Sequence, residues 1–172
     1  MATVNDPTTI PIALSVDDDQ VPYAESWLGV EGIDLKLLVA DVEGGFFVVR
    51  VRFAPGVQLP THLHTGAVHA YTFSGEWTYL EYPDSATSRA GSYLYEPPGS
   101  THTLKVLDGN TEATEALFVV GGAMVLYNPD GSVMDVIDAA THRRDYFALL
   151  EKQGKPLPRI IEGGRAGYSD HA

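Results

Sequence analysis

The chain has 172 residues, enough for one domain of ordinary size. Its hydrophobic fraction of 44% and charged fraction of 20% are those of a globular protein, which excludes disorder over most of the length. Eleven Lys and Arg stand against 23 Asp and Glu, a formal net charge of −12, and there is no cysteine. A surface this acidic disfavours nucleic acid and anionic membranes, and it suits small neutral organic partners better than anions. Without cysteine, disulfides, thiolate metal sites and Cys nucleophiles are excluded, so a metal site must use His, Asp or Glu.

Residues 1–34 read as an N-terminal arm. Pro7, Pro11 and Pro22 oppose a long helix, and Asp17, Asp18 and Asp19 read as a solvated acidic turn. The arm is expected to pack on its own domain or on a neighbouring subunit. The first twenty residues carry no Lys or Arg and no sustained apolar core, unlike a secretory signal. The longest apolar stretch, Ala116 to Tyr127, is too short to span a bilayer and contains Gly121 and Gly122. A cytoplasmic protein is expected.

Residues 35–137 read as a β domain. Short runs rich in β-branched and aromatic residues follow one another: Leu35–Val42, Phe46–Phe53, Val68–Phe73, Glu76–Tyr82, Ser92–Glu96, Thr103–Leu107, Ala113–Val120, Ala123–Tyr127 and Val133–Ile137. Gly, Pro, Asn and Asp separate them, Pro83–Ser85 among the separators, and no helical pattern intervenes, which predicts an all-β sandwich or barrel. Ser74–Gly75 and Asn128–Gly131 read as hairpin turns. Residues 138–172 read as one helix and a tail. Asp138 or Thr141 can cap the helix, Tyr146, Phe147 and Leu150 form its apolar stripe, and Gly154 can end it. His142, beside Arg143 and Arg144, is expected on the solvated face.

Four of the six histidines fall between positions 62 and 102. His62-Leu63-His64 is the sharpest feature. In a strand, positions i and i+2 face the same side about 7 Å apart, so two imidazoles can lean onto one ion. A pair at that spacing also occurs on ordinary strand surfaces. His102 opens a strand after the turn Pro97-Pro98-Gly99 and is the candidate third ligand from across a barrel. Three neutral imidazoles would leave positions open for water, substrate or O2.

These segments resemble the two motifs of the cupin superfamily. Gly56, His62, His64 and Gly75 match the first motif, and Gly91, Pro97, Gly99 and His102 match the second. The resemblance covers roughly residues 35–137 and implies a cupin barrel, a double-stranded β-helix or jelly roll, with an N-terminal arm and one C-terminal helix. There are two departures. Val68 stands where the first motif usually has Glu, with His69 beside it, and Val106 stands where the second has Asn. If Ser74–Gly75 is a two-residue hairpin turn, Val68 pairs with Glu81, and directly paired residues share a face. Glu81 is then the candidate fourth ligand; the other reading is a surface carboxylate at a strand end. The same ladder turns Ala70, Thr72, Trp77 and Tyr79 inward with the ligands and His69 and Tyr71 outward. Ala70, Trp77, Tyr79 and Leu104 are the candidate pocket residues, and Glu96 reads as structural.

The run from His62 to Tyr82 is similar to the 2,4'-dihydroxyacetophenone dioxygenase branch of the cupins, related to the acetylacetone-cleaving dioxygenases. That resemblance implies a non-haem Fe(II) centre on His62, His64 and His102 that cleaves a C–C bond of a neutral ketone with O2. It also implies a homodimer or homotetramer. Zn, Ni or Mn would suit the same ligands, so two alternatives stand beside the dioxygenase. One is a non-oxidative hydrolase or isomerase; the other is a metal-dependent small-ligand-binding or sensor protein.

Overall fold

A computed structural model describes residues 13–82, 84 and 87–163. Pro7, Pro11 and the outer part of the arm, Pro83 and Ser85 of one separator, and the tail from 164 lie outside these residues. The strands are β1 (Ile33–Asp41), β2 (Phe46–Phe53), β3 (His62–His64), β4 (Val68–Ser74), β5 (Glu76–Tyr79), β6 (Ser88–Arg89) and β7 (Tyr93–Glu96). Then come β8 (Thr101–His102), β9 (Leu104–Val106), β10 (Thr114–Gly121), β11 (Met124–Tyr127), β12 (Val133–Ile137), the helix α1 (Ala139–Lys152) and β13 (Ile161–Glu162).

One sheet has the order β13-β1-β2-β10-β4-β7, a second β12-β11-β3-β8, and a third β6-β5-β9. The all-β reading therefore holds, with one α-helix among the described residues, at the C-terminal side. Alternation builds the core. In β2, Phe47, Val49, Val51 and Phe53 are buried while the residues between them are half-buried, the period of two that a pleated strand imposes. In β4 the inward set is Val68, Ala70 and Thr72, and His69, Tyr71 and Phe73 face out.

The helix starts as its sequence suggests. Asp138 accepts the Thr141 backbone N–H at 2.8 Å, and the Thr141 hydroxyl accepts the Asp138 N–H at 2.7 Å, a reciprocal capping box. Gly154, at φ +64°, follows its end. The helix also fastens the arm, since the Tyr146 hydroxyl donates to the Pro22 carbonyl at 2.6 Å and Lys155 Nζ to that of Tyr23 at 2.7 Å.

Three expectations are corrected. Asp18 is not part of a solvated turn: it lies 2.7 Å from Arg50 and 3.4 Å from Lys36, tying the arm to β1 and β2. His142 is not on the solvated face. It is 2% exposed, with its ring 4.8 Å from that of Trp27 and 4.5 Å from that of Phe47, because the helix turns this position onto the barrel. Ser74–Gly75 is not a hairpin turn. Gly75 has φ +70°, and a Cβ there would lie 2.7 Å from the Thr114 Cα, so the position demands glycine. At this point the chain leaves one sheet for another: β4 pairs with β10 and β7, whereas β5 pairs with β6 and β9.

Candidate metal centre

Strand β3 buries both of its histidines and leaves Leu63 half-exposed. Antiparallel pairing sets His62 directly across from His102 on β8. The ring centroids of His62, His64 and His102 are 4.9–5.4 Å apart, and one ligand atom from each lies within 4.8 Å of the others. All three are buried, at 3%, 5% and 0% exposure. His62 Nδ1 is 2.8 Å from the Pro60 carbonyl oxygen. A carbonyl can only accept, so the proton sits on Nδ1 and the Nε2 lone pair is free for a metal.

The carboxylate beside them is Glu96, not Glu81. Glu96 Oε2 lies 3.3 Å from Nε2 of both His64 and His102. Neither contact has hydrogen-bond geometry, and Glu96 Oε2 and His102 Nε2 are both buried without a hydrogen-bond partner among the described residues. Buried polar atoms left this way normally cost free energy, and lone pairs converging on a shared cation are one arrangement that removes the cost. The donor chemistry fits such an ion. Burial lowers the pKa of His62 below the ordinary imidazole value and that of His64 to about 4, so both are neutral near pH 7. Burial pushes the Glu96 carboxyl up, but the adjacent His102 and His64 rings and the Tyr79 hydroxyl outweigh it and hold it below the carboxylate range. Two neutral imidazoles, His102 and one carboxylate make a donor set suited to a divalent transition metal.

The reason for the correction is register. Val68 stands where the usual Glu is missing, so the residue paired with Val68 is the one placed to supply the carboxylate. Because the chain changes sheets at Gly75, the strand opposite is β7, and the residue paired with Val68 is Glu96. Glu81 follows the end of β5, is exposed, and accepts the Thr103 backbone N–H at 2.7 Å. A signal for Glu96 was present in its own strand: in Tyr93-Leu94-Tyr95-Glu96 it shares the parity of Leu94, the inward side.

Tyr79 braces the group. Its hydroxyl donates to Glu96 Oε1, and its ring stacks on His102 at 3.8 Å with an interplanar angle of 22°. His62, His64, Tyr79 and Glu96 line a cavity of about 70 Å³ whose other walls are mostly apolar, Leu104, Phe118 and Met124 among them. On the other side of Tyr79 and Glu96 lies a hollow of about 300 Å³ that also touches Trp77, Ser100 and His102. Of the expected pocket residues, Tyr79 and Leu104 line the first space, and Tyr79 and Trp77 the second. The Trp77 indole N–H is bonded to Thr72 Oγ1 at 2.9 Å. Ala70 is buried between Leu94 and Phe118 in the sheet and lines neither. His69 stays outside, exposed, 2.5 Å from the Tyr93 hydroxyl.

Among known proteins, the similarities follow this architecture. A protein of unknown function with a cupin-like fold from Ralstonia eutropha JMP134 is 36% identical, with a TM-score of 0.84 over 94% of this chain and 99% of that one. An RmlC-like cupin from the same organism is 21% identical, with a TM-score of 0.79 over 88% and 94%. An acetylacetone dioxygenase from Acinetobacter johnsonii is 19% identical, with a TM-score of 0.70 over 87% and 99%. No curated protein matches. No helix among the described residues is long and apolar enough to cross a membrane. The model of the ChrR cupin-like domain matches residues 13–125, and the chain belongs to that family.

Proposed function

We propose that the protein is a metal-dependent dioxygenase, with Fe(II) as its ion, that cleaves a C–C bond of a small neutral ketone or diketone with O2. The observation that carries the reading is the convergence of His62, His64 and His102, with Glu96 beside the last two, next to an apolar cavity. The similarity in fold to an acetylacetone dioxygenase supports it. Bound to these residues, a divalent iron would supply a Lewis acid for the ketone oxygen and a meeting place for O2.

The chain's own residues do the rest. The Pro60 carbonyl fixes the tautomer of His62, and Tyr79 holds the Glu96 carboxylate with one oxygen toward the imidazoles. Glu96 adds one negative charge, which offsets a divalent cation in part. The apolar walls exclude water and leave an anionic substrate without an ionic partner, which suits a neutral one. The space, about 70 Å³, is small, which favours a small substrate. A homodimer or homotetramer belongs to the same reading. The exposed Tyr71 on β4, and Tyr93 and Tyr95 on the edge strand β7, form the aromatic face that supports it.

The test is O2 uptake by protein loaded anaerobically with Fe(II), offered acetylacetone or 2,4'-dihydroxyacetophenone, with His64→Ala alongside. Uptake that requires both iron and His64 is expected. Stoichiometric iron with no uptake on either ketone would overturn the dioxygenase. Anaerobic turnover would replace it with a hydrolase or isomerase.

A further inference from the structure

His142 is a buried polar group that the metal centre does not use. It comes from the helix α1, and it lines the same cavity as His62 and His64. Its surroundings differ from theirs: Trp27 and Phe47 hold its ring, and its Nδ1 is buried without a hydrogen-bond partner among the described residues. Among the described residues it belongs to no group of converging ligand atoms. Burial pushes its pKa down to about 3, so the ring is neutral and carries one N–H donor and one acceptor nitrogen.

Such an atom needs an explanation, because an unpaired buried polar group costs free energy that a carbon ring of similar size would not. A trapped water needs two to four polar partners to be held. Ile33, Leu35, Val49 and Val51 of the lining offer none from their side chains. Of the other side-chain nitrogens and oxygens in the lining, those of His62, His64, Tyr79 and Glu96 belong to the metal group, and the Trp27 indole packs against His142 itself. A ligand's own polar group fits better. A hydroxyl both donates and accepts, so it satisfies either tautomer of a neutral imidazole.

We infer that His142 is a specificity-determining residue, the contact for a hydroxyl that the substrate carries apart from the oxygens directed at the metal. The substrate class is then a neutral ketone or diketone with one additional hydroxyl group. This rests on the proposed ketone substrate and narrows it.

The experiment measures binding, not turnover, on Zn-loaded protein. Calorimetry compares two matched pairs: pentane-2,4-dione with 1-hydroxypentane-2,4-dione, and 2-hydroxyacetophenone with 2,4'-dihydroxyacetophenone. The His142 ring nitrogens are followed by 15N NMR. In at least one pair the additional hydroxyl is expected to tighten binding about tenfold, the scale of one buried hydrogen bond, and to shift the His142 resonances. His142→Leu should erase that preference while still binding the partner that lacks the hydroxyl. His142→Gln, which keeps a donor and an acceptor, should restore part of it and serves as the control if the leucine variant is poorly folded. Equal affinity within both pairs, or a preference that survives in His142→Leu, overturns the assignment of His142 and leaves the ketone reading standing. Failure of the metal-loaded protein to bind any of the four ketones overturns both.

Discussion

Two regions of the cavity wall bury histidine, and they do so in opposite ways. On β3 and β8, three imidazoles face one another with a carboxylate between two of them, and lone pairs are crowded together. On α1, one imidazole stands among aromatic rings, its Nδ1 without a hydrogen-bond partner among the described residues. Burial removes charge from the ring in both places, lowering His64 to about 4 and His142 to about 3. What differs is convergence. Several deprotonated donors aimed at one volume suit a cation, whereas a single neutral donor–acceptor in an apolar wall suits one hydrogen bond. Desolvation alone does not identify function; the company of the buried group does.

The sharpest way to break this contrast is to remove a converging donor. His64→Ala or His102→Ala should lower metal occupancy at least about a hundredfold in competition with a chelator, read by metal analysis, whereas His142→Leu should leave occupancy unchanged. A loss of metal in His142→Leu would merge the two regions into one site. The carboxylates give the next effect. Glu96→Gln should weaken metal binding about 10- to 100-fold, and Glu81→Gln should change it less than about threefold. The reverse order would restore Glu81 as the ligand.

Acid should act on both regions in the metal-free chain. His64 and His142 each have a folded pKa below the unfolded value near 6.5, so the unfolded state binds more protons between the two. The stability due to the neutral ring is complete above about pH 6.5. It falls with pH by up to about 1.4 kcal/mol per unit for each ring, down to about pH 4 for His64 and about pH 3 for His142. Denaturant melts from pH 7 to pH 4.5 should show this slope. His142→Phe should flatten it by up to one proton, and an unchanged slope would mean that His142 is already protonated when buried. Tyr79→Phe sharpens the metal side by a smaller amount. Loss of the bond to Glu96 should reduce metal affinity about tenfold with little change in melting temperature. Smallest is the helix cap: Asp138→Ala should cost about 1 kcal/mol in stability and leave metal affinity alone.

Much of the site was legible along the chain because it is built from local periodicity. His62 and His64 share a face by strand parity, and His102 follows a Pro and Gly turn into the next inward position. The inward set of β4, the outward His69 and the cap of α1 are local for the same reason. Glu96 was missed at a single step. Its inward parity was visible, but its partner strand depends on where the chain crosses between sheets. His142 was missed because its neighbours in sequence, Arg143 and Arg144, are charged and exposed, while the surface it packs on comes from residues about 95 to 115 positions away.

By itself the sequence determined the all-β class, the strand runs, the terminal helix and the three converging imidazoles, because each depends on side-chain spacing within one element or on a motif of adjacent elements. The tertiary structure alone decided which carboxylate joins those imidazoles and which histidine enters the cavity from the helix. Pairing between strands and docking of a helix are set by the packing of surfaces distant in sequence. A change of sheet at Gly75, where the nearness of Thr114 leaves no room for a side chain, was enough to replace Glu81 with Glu96 opposite Val68.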